Sequence, residues 1–228
     1  TVRSSINPGD TTLFTFTTGT VNLSIPGIYN FNIYSSLQGD GNILNDSASA
    51  VVENSLKAAP YAENFDAFSL GTALQNGWTS TTTTSGGFGS YLWQVNSGQT
   101  GSFATGPVGD NTTGSANYIY TEASNGSAGD ITSLTSPCIG VAGLTGASLE
   151  FYYHMSGTNI NTLYIELLND NGLFIIDSIV GQQQAATTDP FNLRVINLAT
   201  YLGAGNISIN FRTFKTSYGG DVSIDDFR

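Results

Sequence analysis

The stretch SLEFYYHM at residues 148–155, followed by TLYIELLNDNGLFIIDSIV at 162–180, decides the fold. In the first, Leu149, Phe151, Tyr153 and Met155 alternate with Glu150, Tyr152 and His154, so a strand here turns one apolar face to a core and a mixed face away from it. In the second, two apolar runs flank Asn169-Asp170-Asn171-Gly172, where Asn-Gly supplies the positive φ that a twisted hairpin requires. The same period of two recurs in FNLRVINL (191–198), NISINFRTF (206–214) and GGDVSIDDF (219–227). No segment sustains apolar spacing of 3.6 residues with caps. Strands with one apolar face each bury it by stacking as two antiparallel sheets, so the expected fold class is all-β.

Upstream, Leu13, Phe14 and Phe16 lie in TTLFTFTT, and Ile28, Tyr29, Phe31, Ile33 and Tyr34 lie in GIYNFNIYSSL. Turn signals at Asn7-Pro8-Gly9-Asp10, Ile25-Pro26-Gly27 and Gly39-Asp40-Gly41-Asn42 separate them. This gives three or four strands, fewer than an immunoglobulin-like sandwich needs. SLKAAPYA (55–62) has small residues, a proline and little periodicity, and marks a boundary. The expected organisation is a first domain over 1–56, a linker over 57–62 and a second domain over 63–228. The first segment, with NPGD, then PGIYNFNIY, then GDGNILND and a last strand, resembles the C-terminal half of the CARDB-type immunoglobulin-like modules of bacterial surface proteins. That resemblance covers roughly residues 3–54 and implies a partial immunoglobulin-like β-sandwich whose other strands precede Thr1. The Asp40–Asp46 segment reads as a hairpin turn, because it lacks the alternating ligands and closing Glu of a calcium loop.

The chain carries a net charge of -11, from six Lys and Arg against 17 Asp and Glu. Between Lys57 and Arg194 there is no Lys or Arg, so that stretch offers nothing to neutralise a phosphate backbone, and nucleic acid is excluded as its partner. No run of about 20 apolar residues exists to span a bilayer as a helix, so no direct membrane insertion is expected. An acidic surface attracts divalent cations or serves solubility. The single cysteine, Cys138, permits no intrachain disulfide and reads as a small buried hydrophobe.

Three stretches of the second segment resemble the MAM family in order: TGPVGDNTTGSANYIY (105–120), LTSPCIGVAGLTGASLEFYYHMSG (134–157) and GGDVSIDDF (219–227). Upstream, ENFD (63–66), NGW (76–78) and YLWQVNSG (91–98) resemble the opening of MAM modules and of the related cleaved-adhesin modules. The resemblance implies an antiparallel jelly-roll β-sandwich, non-catalytic, extracellular, and part of a longer bacterial cell-surface or secreted adhesion protein. Its expected partners are a protein or glycan on another surface and the neighbouring domains of the same chain. The alternative is an accessory substrate- or carbohydrate-binding module of a secreted hydrolase, either a peptidase or a glycosidase. Two departures stand out: animal MAM modules carry four cysteines where this chain keeps Cys138 alone, and the family's His in its DHT element is Asn111 here.

In SIDDF, Val222, Ile224 and Asp226 are expected to share one face, and a carboxylate in register with buried residues is costly unless paired or bound to a cation. Hard oxygen ligands favour calcium over zinc. In related jelly rolls a cation joins the opening strand, a loop and the last strand. The positions that match are Glu63, Asp66, Asp110, Asp225 and Asp226, which the resemblance therefore assigns to a structural calcium ion, with sodium as the alternative. The competing reading is that Asp225 and Asp226 cap backbone amides at the rim, and Asp221 likewise. His154, the only histidine, reads as a strand residue, and no GxSxG elbow exists to present a nucleophile. Two carboxylates suffice for glycoside hydrolysis, but nothing in the pattern selects a pair. Trp78, Phe88, Tyr91 and Trp93 lie in Gly-rich surroundings and read as core residues reached from loops. Tyr218, beside Gly219 and Gly220, is the ring expected to be exposed for ligand binding.

Overall fold

The computed structural model describes residues 27–35, 39, 41–42, 44, 46–54, 56–83, 89–203 and 205–228. The chain divides into two compact units, Thr1–Asn54 and Ser55–Arg228. In the first, β1 (Gly27–Tyr34) and β2 (Ser47–Asn54) form an antiparallel ladder from Gly27 opposite Asn54 to Tyr34 opposite Ser47. The Ser49 hydroxyl donates to Asn32 Oδ1 across it. The strand expected at residues 11–18 and the turn at 7–10 lie outside the described residues.

The second unit holds β3 (Lys57–Ala58), β4 (Thr79–Thr82), β5 (Trp93–Ser97), β6 (Asn117–Thr121), β7 (Ile131–Thr135), β8 (Ile139–Gly140) and β9 (Ser148–His154). Next come β10 (Thr162–Asn169), β11 (Gly172–Val180), β12 (Asn192–Asn197), β13 (Asn206–Phe214) and β14 (Ser223–Asp225). One sheet runs β11-β10-β13-β7-β4, with β8 joining β13 and β3 joining β8 in parallel. The other runs β12-β9-β14-β6-β5. A 3-10 turn, Ala199–Tyr201, lies between β12 and β13.

Residues 57–62, expected as a linker, instead carry β3 and pack Ala59 and Tyr61 against the core of this unit. The correction has a simple cause, since a two-residue strand leaves no periodicity to read. In the β10–β11 hairpin, Asn169 pairs with Gly172, so the turn residues are Asp170 and Asn171. The positive φ of 125° falls on Gly172 at the start of β11, after the turn proper.

Alternation builds the core as the sequence implies. Leu149, Phe151, Tyr153 and Met155 of the β9 segment meet Leu163, Ile165 and Leu167 of β10 and Ile207, Ile209 and Phe211 of β13 between the sheets. Phe151 and Phe211 contact edge to face at 4.9 Å. Trp78, Trp93 and Phe227 belong to the same core, with Trp78 edge-on to Phe227 at 5.0 Å.

The opposite face of the second sheet is also buried over β6, β14 and the end of β9, which alternation alone does not foretell, while Leu193 and Val195 of β12 stay exposed on it. Loop 98–116 and loop 181–191 fold over it. Gly106 N–H donates to Ser156 O, Val108 N–H to Thr187 O, and the Gln184 side chain bonds the backbone of Met155, Tyr153 and Pro190. Beneath lie Tyr118, Tyr120 and Phe191, with Tyr152 packed against them. Gly157 is required where these loops meet, because its φ is 144° and a Cβ there would collide with the Gly219 carbonyl and Thr105.

Candidate functional site

Strand β14 runs under this roof, and its roofed face carries three polar side chains in alternation: Asp221 just before the strand, then Ser223 and Asp225. Ser223 lies opposite Tyr120 on one side and His154 on the other. Val222 and Ile224 face the core between the sheets. Each end of this segment therefore buries a carboxylate.

At the far end, Asp225 is 2% exposed. Its Oδ2 accepts Asn111 N–H at 2.9 Å and its Oδ1 accepts Asp226 N–H at 2.8 Å. Burial pushes the Asp225 carboxyl up to about 7, against the pull of the Asn111 amide and with a further push from the charges of Asp226 and Asp110. Asp110 behaves oppositely. Burial alone would raise it, but the N–H groups of Thr113, Ala116 and Thr112 and the Thr113 hydroxyl outweigh that and hold it below the usual carboxylate range. Asp226 is not on the buried face with Val222 and Ile224, contrary to expectation. Its φ of 47° kinks the chain, so it leaves the alternation and Phe227 takes the next core position. The Asp226 carboxylate Oδ2 instead accepts Asn111 Nδ2 at 2.8 Å and the Thr112 hydroxyl at 3.0 Å.

Glu63 reaches the same rim through an antiparallel bridge to Phe227. Its carboxylate accepts Phe65 N–H, Asn76 Nδ2 and the Tyr61 hydroxyl, while Asp66 accepts Asn64 Nδ2 at 2.7 Å. The structure thus joins Asp110, Asp225 and Asp226 through Asn111 and Thr112, and it engages Glu63 and Asp66 with other partners. As arranged, these oxygens cap amides and side-chain donors. Among the described residues, no three of His, Cys, Asp or Glu converge to hold a metal ion.

At the near end, Asp221 is 0% exposed. Its Oδ1 accepts Ala123 N–H at 2.7 Å, its own N–H donates to Thr105 Oγ1, and its Oδ2 has no hydrogen-bond partner. Burial, then the charge of Glu122, push this carboxyl up to about 7, and the Ala123 amide and Thr100 hydroxyl oppose them. Glu122 accepts the Ser102 hydroxyl at 2.6 Å, and Ser102 meets Ser124 at 2.7 Å. Lys215 Nζ donates to the carbonyls of Asn125 and Gly126 and sits 5.1 Å from the centre of the Tyr218 ring. Tyr218 is 69% exposed, yet Phe103, next to Ser102, is 95% exposed and was missed. Its signal was available in the Gly/Ser-rich GSFATG context, which matches that of Tyr218.

His154 is buried. Burial holds its ring neutral, with a pKa pushed down to about 4, and neither nitrogen makes a hydrogen bond of good geometry. Cys138 is half-buried, and burial pushes its thiol up, away from a reactive thiolate. Trp78, Tyr91 and Trp93 are buried, and Phe88 lies outside the described residues.

A family model described as MAM domain, meprin/A5/mu matches residues 72–228. Neuropilin-1a of Danio rerio is 38% identical over 76 residues, which is 33% of this chain and 8% of that protein. MAM domain-containing protein 2 of Homo sapiens is 39% identical over 140 residues, 60% of this chain and 19% of that protein. The chain therefore spans a small part of the length of these relatives. Among solved structures, the K1 cleaved adhesin domain of Lys-gingipain from Porphyromonas gingivalis W83 aligns with a TM-score of 0.48 and 14% identity, covering 73% of this chain and 95% of that one.

Proposed function

The chain belongs to the MAM domain family, and from that premise we propose that it is a non-catalytic adhesion module of a longer extracellular protein, binding a protein or glycan through loops rather than through a sheet face. The observation that carries the reading is the roofed sheet. With the middle of its outer face filled by Tyr118, Tyr120 and Phe191, contact with a partner passes to the loops around Phe103 and Tyr218. Two exposed rings suit stacking on a sugar or anchoring against a protein: Phe103, next to Ser102 with its contacts to Glu122 and Ser124, and Tyr218, beside Lys215. The buried neutral His154 and the high-lying Cys138 thiol offer no activated nucleophile or base, which favours binding over chemistry.

A bacterial surface or secreted setting, and a partial immunoglobulin-like domain in the first unit, are parts of the same proposal. So is a calcium or sodium ion at the rim of Asp110, Asp225 and Asp226. Supporting the ion is a buried carboxyl beside two others that none of the three described ion pairs neutralises. Against a tight site stand the N–H donors already on those oxygens, so an ion would bind only with displacement of Asn111 or Thr112.

The test is capture of the chain on arrays of glycans and of extracellular proteins, with Phe103→Ser/Tyr218→Ser in parallel. Selective capture lost in the double variant is the expected result. Equal capture by both forms would remove these loops as the contact surface.

A further inference from the structure

The near end of β14 sets two acids against each other. Ser223 pairs with Tyr120 and Thr121 N–H donates to Val222 O, so the register carries Asp221 to the position opposite Glu122. Alternation puts both on the roofed face with Ser223 and Tyr120. Like charges placed directly across a ladder repel, and Asp221 is 0% exposed besides.

Each carboxylate has one oxygen engaged and the other at hand. Asp221 Oδ1 accepts Ala123 N–H at 2.7 Å, while its Oδ2, shut away from solvent, accepts nothing. Glu122 Oε1 accepts the Ser102 hydroxyl at 2.6 Å and Ser124 N–H at 2.9 Å, while the Tyr120 hydroxyl stands off from Oε2 at 3.5 Å. Loop 98–116 closes over both. A Cβ built on Gly101 would stand 3.2 Å from Glu122 Oε2, and the Thr100 hydroxyl lies beside the Asp221 carboxyl. Thr100 gives its proton to Thr105 O at 2.8 Å, which leaves its oxygen able to act as a ligand. Among the described residues no ion pair balances the two acids. The three present hold Asp177, Glu166 and Glu150, and Lys215 directs its Nζ to the carbonyls of Asn125 and Gly126.

We propose that Asp221 and Glu122 hold a calcium ion, with the Thr100 hydroxyl as a neutral ligand. Two carboxylates match its charge, and an all-oxygen set of irregular geometry suits calcium better than magnesium, which demands an octahedron, or zinc, which favours nitrogen and sulfur. The buried oxygen that accepts no donor marks the place, because a desolvated carboxylate without a counter-charge is costly. This site is separate from the rim, where the carboxylates of Asp110, Asp225 and Asp226 already receive N–H and side-chain donors.

The test uses the chain carrying Asp226→Asn, which removes one rim carboxylate. With a dissociation constant of about 0.1 mM, as in extracellular calcium modules, about 10 mM calcium is expected to lower the unfolding equilibrium constant about 100-fold near neutral pH. Adding Asp221→Asn or Glu122→Gln should each erase that response, and calcium should shift the amide resonances of Gly101, Ala123 and Ser124. The proposal is overturned by the absence of any calcium response in the Asp226→Asn chain, by a response that survives either added substitution, or by resonance shifts confined to Asn111 and Thr112.

Discussion

Replacing Asp221 by Asn isolates the electrostatic cost of the buried near-end carboxyl. The wild-type carboxyl is raised from 3.8 to about 7, chiefly by burial and then by Glu122. A carboxyl raised in the folded state keeps its proton there while the unfolded chain has already ionised. Its contribution to stability is therefore complete below pH 3.8 and is lost as pH rises to about 7. At 1.36 kcal/mol per pH unit, that loss is about 4 kcal/mol. Asn retains an oxygen for the Ala123 N–H and has no charge to desolvate. Urea unfolding at fixed ionic strength, with chelator present, is expected to give similar stabilities for the two proteins at pH 4. At pH 8 the variant is expected to be the more stable, by up to about 4 kcal/mol. Groups common to both proteins, Asp225 included, cancel in the difference. Parallel stability curves, or a variant that is weaker at pH 8, would refute the assignment of a desolvated carboxyl at this position.

Four further outcomes are expected. Gly157→Ala forces a Cβ against the Gly219 carbonyl at a φ of 144°, and chemical denaturation should register a loss of about 3 kcal/mol or more from strain and clash together. Arg212→Met leaves the nearly buried Glu166 carboxylate with only Asn210 as a side-chain donor and should cost about 3 to 5 kcal/mol, read by thermal or urea unfolding. Phe103→Ser should change stability by less than about 0.5 kcal/mol, because the ring lies almost wholly in solvent, so any loss of partner capture reports on contact. Melting in calcium and in chelator tests the rim ion, since an ion at about 100 times its dissociation constant adds roughly 2.7 kcal/mol, and coincident curves would count against it.

The architecture was legible because most strands of the second unit have an inner face that reads directly as period two. Leu149 to Met155 and Ile207 to Phe211 occupy the core positions their alternation assigns. What escaped was local. Lys57 and Ala58 form too short a strand to leave a pattern, and the turn at Asp170-Asn171 takes its positive φ one position later, at Gly172. At the rim, period-two counting carried Asp226 inward with Val222 and Ile224. A positive φ at an aspartate carries no sequence mark, and that one dihedral exchanges the roles of Asp225 and Asp226.

The acids at the two ends of β14 share a cause that neither residue's immediate neighbours reveal. Asp221 and Asp225 lie on the face that an open two-layer sandwich would leave wet, and each would ordinarily ionise freely there. Loop 98–116 removes the water, and it also supplies partners that make burial tolerable: Asn111 N–H donates to Asp225, and the Thr105 hydroxyl oxygen accepts the Asp221 amide. The loop that roofs the sheet is thus also the loop that presents Phe103. A change that loosens it should wet both carboxyls and misplace the exposed ring together, which couples the stability of the acidic strand to the contact surface through one segment of chain.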